Sequence, residues 1–417
     1  MRKILFFSEN FPPEVNAAST RVYERACYWV KWGYDVTVIT CAPNFPQGRL
    51  YPGYKNKWHQ VEFMDGIRVV RVKTFISKNE GVALRTLDFL SYNITAVAAA
   101  IFENKPDVAI STSPQFFAAV AGWMVSEARR IPFIFELGDL WPASIAAVGV
   151  MKRGNILLKM VEKLELYLYD RAAHVVSLTN SFKEDLVRRG VPEDKITVVI
   201  NGVDLPRYAP MPKDPELMST LHLDEKFVVG YIGTQGAAHG LENVIEAAKI
   251  INDHSDDICF LFVGTGSEHE KLKAKVEQFN LSSHVLFVPP KPKAEMPKYW
   301  SLCDVALIHL KNSPVFKTVI PSKMFEAMGM GLPLLVVSPE GEASAIVQRE
   351  GCGLWCPAGE PQLFSKNILF LKENPAKLKD FSAKSLDASQ RYTRETQAKK
   401  MIDVVENVIN TPFMTGD

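Results

Sequence analysis

Short apolar runs rich in β-branched and aromatic residues alternate with longer amphipathic stretches along the chain. The first set of such runs lies at residues 3–8, 35–40, 67–72, 107–111, 132–136, 174–178 and 196–200. Strands that alternate with helices in this way predict a parallel sheet covered by helices on both faces. A second set repeats the pattern at residues 227–232, 258–263, 285–288, 305–309, 332–337 and 354–356. The sequence therefore predicts an α/β fold with two doubly wound, Rossmann-like domains.

A Pro-rich passage, residues 201–216, separates the two sets of strands. We place the interdomain linker near residues 203–222, and 417 residues are enough for two such domains. The predicted N-terminal domain spans residues 1–205 and the C-terminal domain spans residues 206–385. The remaining residues, 386–417, are helical in pattern and are a candidate to pack back across the first domain. We expect a cleft between the carboxyl ends of the strands, where such folds bind ligands.

Composition narrows the range of partners and compartments. The 48 Lys and Arg residues nearly balance the 47 Asp and Glu residues, which leaves a formal charge of +1 and predicts no nucleic-acid partner. The six cysteines form no CxxC pair and lie mostly in apolar runs, as expected for reduced thiols in a cytoplasmic protein. The N-terminal stretch MRKILFFSENFPPE turns polar too early for a signal peptide and instead predicts a first strand.

One apolar stretch, residues 84–102, carries few charges over a helical length. An ordinary buried helix is one interpretation. The other is a surface that dips into a membrane interface, and it is supported by Lys73, Lys78, Arg85 and Trp58 nearby. Peripheral contact with the inner face of the cytoplasmic membrane is therefore a hypothesis of the sequence.

The stretch TVIPSKMFEAMGMGLP, residues 318–333, contains the most informative pattern in the chain. Pro321 and Ser322 signal a helix start, and Lys323 and Glu326 lie one turn apart on the same helical face. Lys323 and the helix start favour phosphate, and a fixed carboxylate can accept both hydrogen bonds of a ribose cis-diol. The alternative is a solvated ion pair between the two side chains.

Glycine-bearing turns follow two strands of the second domain. GTQGAAHG contains Gly233, Gly236 and Gly240 but lacks the GxGxxG spacing of dinucleotide folds, so we do not predict NAD. This turn can still cradle a pyrophosphate, and His239 within it could donate to phosphate. The second turn, at residues 264–266, is either a further ligand loop or only a tight turn. His309, in an apolar strand, is expected to be a satisfied core residue.

The first domain offers its own candidates. Small residues from Ala17 onward precede a helix carrying Arg21, and such a turn lets a ligand approach backbone N–H groups. Glu136 and Asp139 are candidate acids or bases at the end of a strand, although Asp139 could instead cap the next helix. Trp141 beside them could form an apolar wall for a sugar.

Several motifs are missing. The chain has no DxD pair, no HExxH, no GxxxxGK[ST] P-loop and no GxSxG elbow, so kinases, zinc hydrolases and serine hydrolases lose support. We predict no metal and no cofactor. Phosphate charge would then be neutralised by the lysines and helix dipoles of the protein itself.

In its motifs the chain resembles family 4 glycosyltransferases of the GT-B architecture, in particular a bacterial subgroup that includes L-fucosamine transferases of O-antigen and capsule synthesis. The segments that carry the resemblance are NFPPE with Arg21, residues 33–54, PDVAISTSP, DLWPAS, NGVD and PSKMFEAMGMGLP. They span nearly the whole chain in the order of the family. The resemblance implies an acceptor-binding first domain, a donor-binding second domain and a retaining transfer without metal in the cleft between them.

Individual residues follow from this resemblance. Glu326 corresponds to the glutamate that holds the donor ribose. Thr234 and His239 stand where many members carry Arg and Lys, so Lys323, with Lys317, would supply the charge. Thr318 replaces a second glutamate and Gly138 replaces a His or Arg. The candidate catalytic residues are Asp139 and Lys323, the donor-binding candidates are Gly233, Thr234, Gly236, His239, Gly264, Gly266, Lys317, Ser322, Lys323 and Glu326, and the acceptor-side candidates are Asn16, Ala17, Arg21 and Trp141.

The leading hypothesis is a transferase that moves a hexosamine-type sugar from a UDP-sugar to an undecaprenyl-diphosphate-linked saccharide. A second hypothesis is a UDP-sugar 2-epimerase of the same fold. A third is a non-catalytic subunit that binds nucleotide-sugar for a partner transferase, since the residues at Thr318 and Gly138 depart from the family.

Overall fold

In the computed structural model the described residues are 1–14, 16–45, 47–76, 82–113, 116–140 and 156–411, with only the backbone described at positions 82, 83, 85 and 157. The chain divides into two compact units. The first contains residues 1–200 and the segment from residue 395 onward, and the second contains residues 201–394.

The first unit is built on an eight-stranded sheet within the described ranges. Its strands are β1 (Lys3–Phe7), β2 (Asp35–Cys41), β3 (His59–Met64), β4 (Ile67–Val72), β5 (Val108–Thr112), β6 (Phe133–Leu137), β7 (His174–Ser177) and β8 (Ile196–Val198). They lie in the order β3-β4-β2-β1-β5-β6-β7-β8. All pairs are parallel except β3 with β4. Every residue of β5 and β6 is buried because helices cover both faces.

The antiparallel edge strand β3 is absent from the prediction. Its sequence, HQVEFM, is mostly part-exposed, and Phe63 is 70% exposed. A strand that is not buried on both faces needs no continuous apolar run, and the apolar-run criterion therefore misses β3.

The helices of the first unit are α1 (Ala17–Lys31), α2 (Val82–Phe102), α3 (Phe116–Arg129), α4 (Ile156–Arg171) and α5 (Asn180–Arg188). One face of α2 is buried through Tyr92, Ala96 and Ala100 in a core shared with α3. Its other face exposes apolar side chains. In the part of the chain that the structure describes, no helix is long and apolar enough to cross a bilayer.

The second unit contains a six-stranded, fully parallel sheet in its described residues. The strands are β9 (Phe227–Ile232), β10 (Ile258–Val263), β11 (Val285–Val288), β12 (Val305–His309), β13 (Leu334–Val337) and β14 (Gly353–Cys356), in the order β11-β10-β9-β12-β13-β14. This is the doubly wound order, and it reverses between β9 and β12. Its helices are α6 (Pro215–Thr220), α7 (Glu242–Asn252), α8 (His269–Gln278), α9 (Met296–Ser301), α10 (Lys323–Gly329), α11 (Glu342–Glu350), α12 (Pro361–Glu373) and α13 (Pro375–Arg391).

The chain returns to the first unit through the last helix, α14 (Arg394–Asn410). Met401 and Val405 of α14 are buried with Trp29 of α1, whose Nε1 donates to the carbonyl oxygen of Ala398 at 3.1 Å. The expected start of this tail, residue 386, falls instead inside α13, which is anchored in the second unit by a 2.7 Å hydrogen bond from Ser385 to the carbonyl of Leu332. All six cysteines are free thiols, five of them buried.

Candidate active site

The two glycine turns of the second unit pack directly on each other. Gln235 N donates to the carbonyl oxygen of Thr265 at 2.9 Å. A Cβ at Gly264 would lie 2.3 Å from the carbonyl oxygen of Gly233, and a Cβ at Gly266 would lie 2.3 Å from that of Gln235. Such distances exclude a side chain, so these glycines are required for the close approach of the two loops.

Gln235 locks the two turns together, a role that the sequence did not reveal. The side chain is buried, its Nε2 donates to the carbonyl of Gly264 at 3.1 Å, and its Oε1 lies 2.6 Å from Nδ1 of His269.

The first turn also contacts the residues at the end of β12. Lys311 N donates to the carbonyl of Ala238 at 2.9 Å, and His309 Nδ1 donates to the carbonyl of His239 at 2.6 Å. Strands β9 and β12 are neighbours at the point where the sheet order reverses. Open α/β sheets bind ligands at this position, outside the carboxyl ends of the strands.

Lys323, the first residue of α10, directs its amine into this region. Its Nζ lies 3.6 Å from the ring centroid of Tyr231 on β9, and a Cβ on Gly233 would lie 2.8 Å from it. The amine is buried and has no hydrogen-bond partner among the described residues. Burial lowers the pKa of Lys323 from 10.5 to about 7, although the carboxylate of Glu326 acts in the opposite direction. The interpretation as a solvated surface ion pair is therefore wrong.

Two histidines beside the amine are held neutral. Burial, with the charge of Lys323, lowers the pKa of His239 to about 3, and burial lowers that of His309 to about 4. His309 is a satisfied core residue, as expected, because its Nε2 also lies 3.1 Å from Nδ2 of Asn243. His239 can therefore act only as a neutral donor, so it does not replace the cation expected at this turn.

The other donor-side candidates are spread around this centre. Glu326 is partly exposed on α10, one turn after Lys323, while Ser322 precedes the helix without a side-chain capping bond. Lys317 is exposed in a short 3-10 turn, where the hydroxyl of Thr318 bonds the carbonyl of Val315 at 3.0 Å. The exposed Thr234 accepts a 2.6 Å hydrogen bond on its backbone carbonyl from the Tyr231 hydroxyl, and Gly236 has an extended backbone.

In the first unit, Asn16 and Ala17 form the start of α1. Asn16 Oδ1 accepts a 2.9 Å hydrogen bond from the backbone N–H of Ser19 and so caps the helix. Its Nδ2 is buried without a hydrogen-bond partner in the described part of the chain. Ala17 is exposed, as an approachable turn requires.

Arg21 belongs to a buried charge cluster with Glu136. Glu136 is fully buried, 2.5 Å from Arg25 Nη1 and 3.3 Å from Arg21 Nε, and Arg21 Nη2 donates to Thr112 Oγ1 at 3.0 Å. Burial raises the pKa of Glu136, but Arg25 and Arg21 outweigh it and leave the pKa below its usual value. A carboxylate held in this way is an anchor, so the proposal of Glu136 as an acid or base is not supported. Arg25 was missed because its partner lies far away in sequence.

Gly138 and Asp139 follow β6 beside this cluster. Ser113 Oγ accepts from the backbone N–H of Gly138 at 2.8 Å and of Asp139 at 3.3 Å. A Cβ at Gly138 would lie 2.2 Å from the carbonyl oxygen of Ser113 and 3.1 Å from Nη2 of Arg21. The close backbone contact explains why no histidine stands here. Asp139 is partly exposed, and Trp141 lies outside the described residues.

Glu14 explains two of the sequence motifs. One of its oxygens accepts from the backbone N–H groups of Asn44 at 2.7 Å and Phe45 at 2.9 Å, and the other accepts from Asn10 at 2.8 Å. The segment NFPPE therefore fixes the backbone at Asn44 and Phe45, within the segment 33–54 that also carries the resemblance. Both segments were visible in the sequence, but the bonds between them were not.

Comparison with known proteins relates both units to sugar transfer. Residues 16–202 match the family "Glycosyl transferase 4-like domain", and residues 213–387 match "Glycosyl transferases group 1". A relative, the putative colanic acid biosynthesis glycosyl transferase WcaI of Escherichia coli (strain K12), is 24% identical over 340 residues, which is 79% of this chain and 81% of the relative.

Solved structures match the fold over nearly the whole chain. Sucrose-phosphate synthase from Thermosynechococcus elongatus aligns with a TM-score of 0.79 at 16% identity, covering 98% of this chain and 99% of that one. Anabaena Alr3699/HepE in complex with UDP-glucose aligns with a TM-score of 0.73 at 18% identity, covering 98% and 100%. The fold is therefore GT-B, made of two Rossmann-like α/β domains.

Proposed function

We propose that this chain, which joins a glycosyl transferase 4-like domain to a glycosyl transferases group 1 domain, moves a hexosamine-type sugar from a UDP-sugar to a lipid-linked saccharide. The transfer retains the anomeric configuration and needs no metal. The acceptor carries an undecaprenyl diphosphate, and the product belongs to a surface polysaccharide such as O-antigen or capsule.

The observation that carries this proposal is the position of Lys323. Its buried amine lies against the backbone of Gly233, at the reversal point of the second sheet and beside the paired glycine turns. Glu326 follows one turn later on the same short helix. A cation at a glycine turn suits a diphosphate, and a carboxylate at this spacing suits the ribose that follows it.

The known proteins support the donor and the pathway. HepE was crystallised with UDP-glucose, which supports a UDP-sugar donor here. WcaI is named for colanic acid biosynthesis, which supports a surface polysaccharide as the product. The L-fucosamine subgroup, proposed from the motifs, makes an N-acetylated deoxyhexosamine the first donor to test.

The proposed mechanism assigns charge stabilisation to the second unit. Negative charge develops on the leaving diphosphate as the glycosidic bond breaks, and Lys323 with the backbone N–H groups of the turns would stabilise it. A single preorganised donor of this kind is worth roughly 100- to 1000-fold in kcat. Exclusion of water protects the activated sugar from hydrolysis.

Asp139 has the acceptor role in this proposal. It follows a strand end beside the buried Arg21 and Glu136 pair, and its backbone N–H is fixed by Ser113. Its carboxylate would orient the acceptor hydroxyl on the same face of the sugar as the leaving group, as retention requires. Asn16, Ala17 and Trp141 complete the proposed acceptor side.

Peripheral contact with a membrane is part of the proposal. One face of α2 exposes Leu87, Ile94 at 68% and Phe102 at 83%. Phe75 N donates to Ser91 Oγ of α2 at 2.7 Å, and Lys73 from the same segment lies 4.6 Å from the ring centroid of Trp58, which is 70% exposed. An apolar helix face with a cation and an aromatic ring beside it suits the surface of an anionic bilayer. Lys78, which also supported the membrane hypothesis in the sequence, lies outside the described residues.

A non-catalytic subunit is the alternative with a specific observation behind it. In the described ranges the Thr318 hydroxyl bonds within its own turn, and Gly138 leaves no room for a side chain. The family's second glutamate and its His or Arg are thus both missing from this chain.

The deciding experiment incubates the purified protein with labelled UDP-sugars, with and without an undecaprenyl-diphosphate-linked saccharide. The proposal expects label transfer that depends on the acceptor, persists with EDTA and keeps the anomeric configuration by NMR. Release of an isomerised UDP-sugar without acceptor would indicate the epimerase. Binding without turnover would indicate the subunit.

A further inference from the structure

The amine of Lys323 points into the protein, whereas the amine of a lysine usually points into water. The residue is partly exposed, yet its Nζ is buried at the inner end of the side chain. Lysines normally bury the aliphatic stem and keep the ammonium in water. An ammonium has three N–H donors, and here none meets a hydrogen-bond acceptor among the described residues.

The ring of Tyr231 lies against the amine, with its centroid 3.6 Å from Nζ. Two contacts fix the ring itself. Its hydroxyl donates to the carbonyl of Thr234 at 2.6 Å, and its ring packs on Phe262 with the centroids 5.7 Å apart. A cation over the face of an aromatic ring is attracted by the ring quadrupole, most strongly when both are shielded from water.

The other titratable groups near the amine come from three elements. His239 of the first glycine turn and His309 of β12 are neutral because burial keeps their pKa low, so neither supplies a counter-charge. Glu326, on the same helix as Lys323, raises the pKa of the amine through its charge but less than burial lowers it.

We propose that Tyr231 is a positioning residue for the transfer proposed above, on which this inference rests. Its ring holds the amine of Lys323 against the Gly233 backbone, ready for a donor diphosphate to accept its N–H groups. An aromatic face suits this task better than a carboxylate, because it attracts the cation without occupying its hydrogen-bond donors or cancelling the charge that the diphosphate needs.

Glycine at position 233 is part of the same arrangement. Its φ of +138° is unfavourable for other residues, and a Cβ there would come within 2.8 Å of the amine. The backbone of the turn and the amine can therefore be adjacent only with this residue.

The test compares Tyr231→Leu, Tyr231→Phe and the control Phe260→Leu by calorimetric titration with UDP. Phe260→Leu removes a ring from the same core, where the ring packs on Phe364 with the centroids 6.4 Å apart. We expect Tyr231→Leu to weaken UDP binding by roughly 5- to 30-fold, which is the range of a shielded cation–π contact. Tyr231→Phe keeps the ring face and should stay within about twofold of the wild type, as should Phe260→Leu.

A pH series separates positioning from a purely structural role. Above pH 7 the terminal phosphate of UDP is already ionised. Wild-type affinity should fall as the pH rises from 7 to 9, because the buried amine loses its proton. In Tyr231→Leu the amine is released into water, where an ordinary lysine stays charged, so the affinity should become nearly independent of pH.

Two results would overturn the inference alone: wild-type affinity in Tyr231→Leu, or the same pH slope in Tyr231→Leu and the wild type. A wild-type protein that binds no UDP at any of these pH values would overturn the proposed function itself.

Discussion

Replacing Lys323 by methionine should make the protein more stable and at the same time abolish nucleotide binding. Methionine has a similar length, carries no charge and packs well against an aromatic ring. The pKa of Lys323 falls from 10.5 to about 7 through burial. At about 1.4 kcal/mol for each pKa unit, holding this charge costs about 5 kcal/mol below pH 7.

Lys323→Met should recover this cost, because methionine has no charge to desolvate and keeps the packing on the Tyr231 ring. The expected gain is therefore about 5 kcal/mol at or below pH 7. For a unit the size of residues 201–394, each kcal/mol raises Tm by roughly 2 to 4 °C. The transition of the second unit should therefore move up by roughly 10 to 20 °C.

The lowered pKa of Lys323 determines how the free energy of unfolding changes with pH. Below pH 7 both the folded and the unfolded chain carry the proton on Lys323, and the whole penalty applies. Between pH 7 and 10.5 the unfolded chain keeps the proton while the native state loses it, so wild-type stability rises with pH. The advantage of Lys323→Met should shrink over this range and vanish near pH 10.5.

Differential scanning calorimetry at pH 6.5, 8 and 9.5, with and without UDP, measures both effects. Lys366→Met removes an exposed lysine of α12 and should leave Tm unchanged. UDP should raise the Tm of the wild type and of Lys366→Met but not of Lys323→Met. A lower Tm for Lys323→Met at pH 6.5, or a gain that does not change with pH, would refute the reasoning.

Three further predictions concern the other parts of the proposal. Glu326→Gln should weaken UDP binding roughly tenfold or more by calorimetry, because one ribose acceptor becomes a donor; unchanged affinity would remove Glu326 from the ribose. Asp139→Asn should lower kcat by roughly 100-fold while the Kd for UDP stays within about twofold; equal losses in both would exclude a role confined to turnover. Ile94→Asp should abolish sedimentation with anionic liposomes at low salt, whereas Leu363→Asp, an exposed apolar position of the second unit, should not. A wild-type protein that stays in the supernatant would contradict the membrane contact.

The sequence by itself determined most of the secondary structure. The strands of both sheets were predicted within a few residues, because a buried parallel strand is a continuous apolar run and this signal is local. The turn before α10 and the glycine turn before α7 were located from their proline, serine and glycine residues, which are also local signals. The exception was β3, an edge strand whose mixed polarity gives no such signal.

The resemblance in the motifs identified the right fold and agrees with the two glycosyl transferase families whose models match parts of this chain, since its segments run along nearly the whole chain. It also selected residues that the structure brings together, such as Gly233, Gly264 and Lys323. The spacing of Lys323 and Glu326 alone could not distinguish a phosphate-and-ribose site from a surface ion pair, because both use the same i,i+3 spacing on a helix.

Only the tertiary structure decided what each charged side chain does. Lys323 meets Tyr231 because β9 carries the tyrosine to the strand end beside which α10 begins, and nothing in either local sequence announces the other. Glu136 became an anchor rather than an acid because Arg25 reaches it from more than 100 positions away. Contacts of this kind depend on which strands become neighbours and on burial, which sets the cost of each charge. The periodicity of the sequence specifies neither which strands become neighbours nor how deeply each charge is buried.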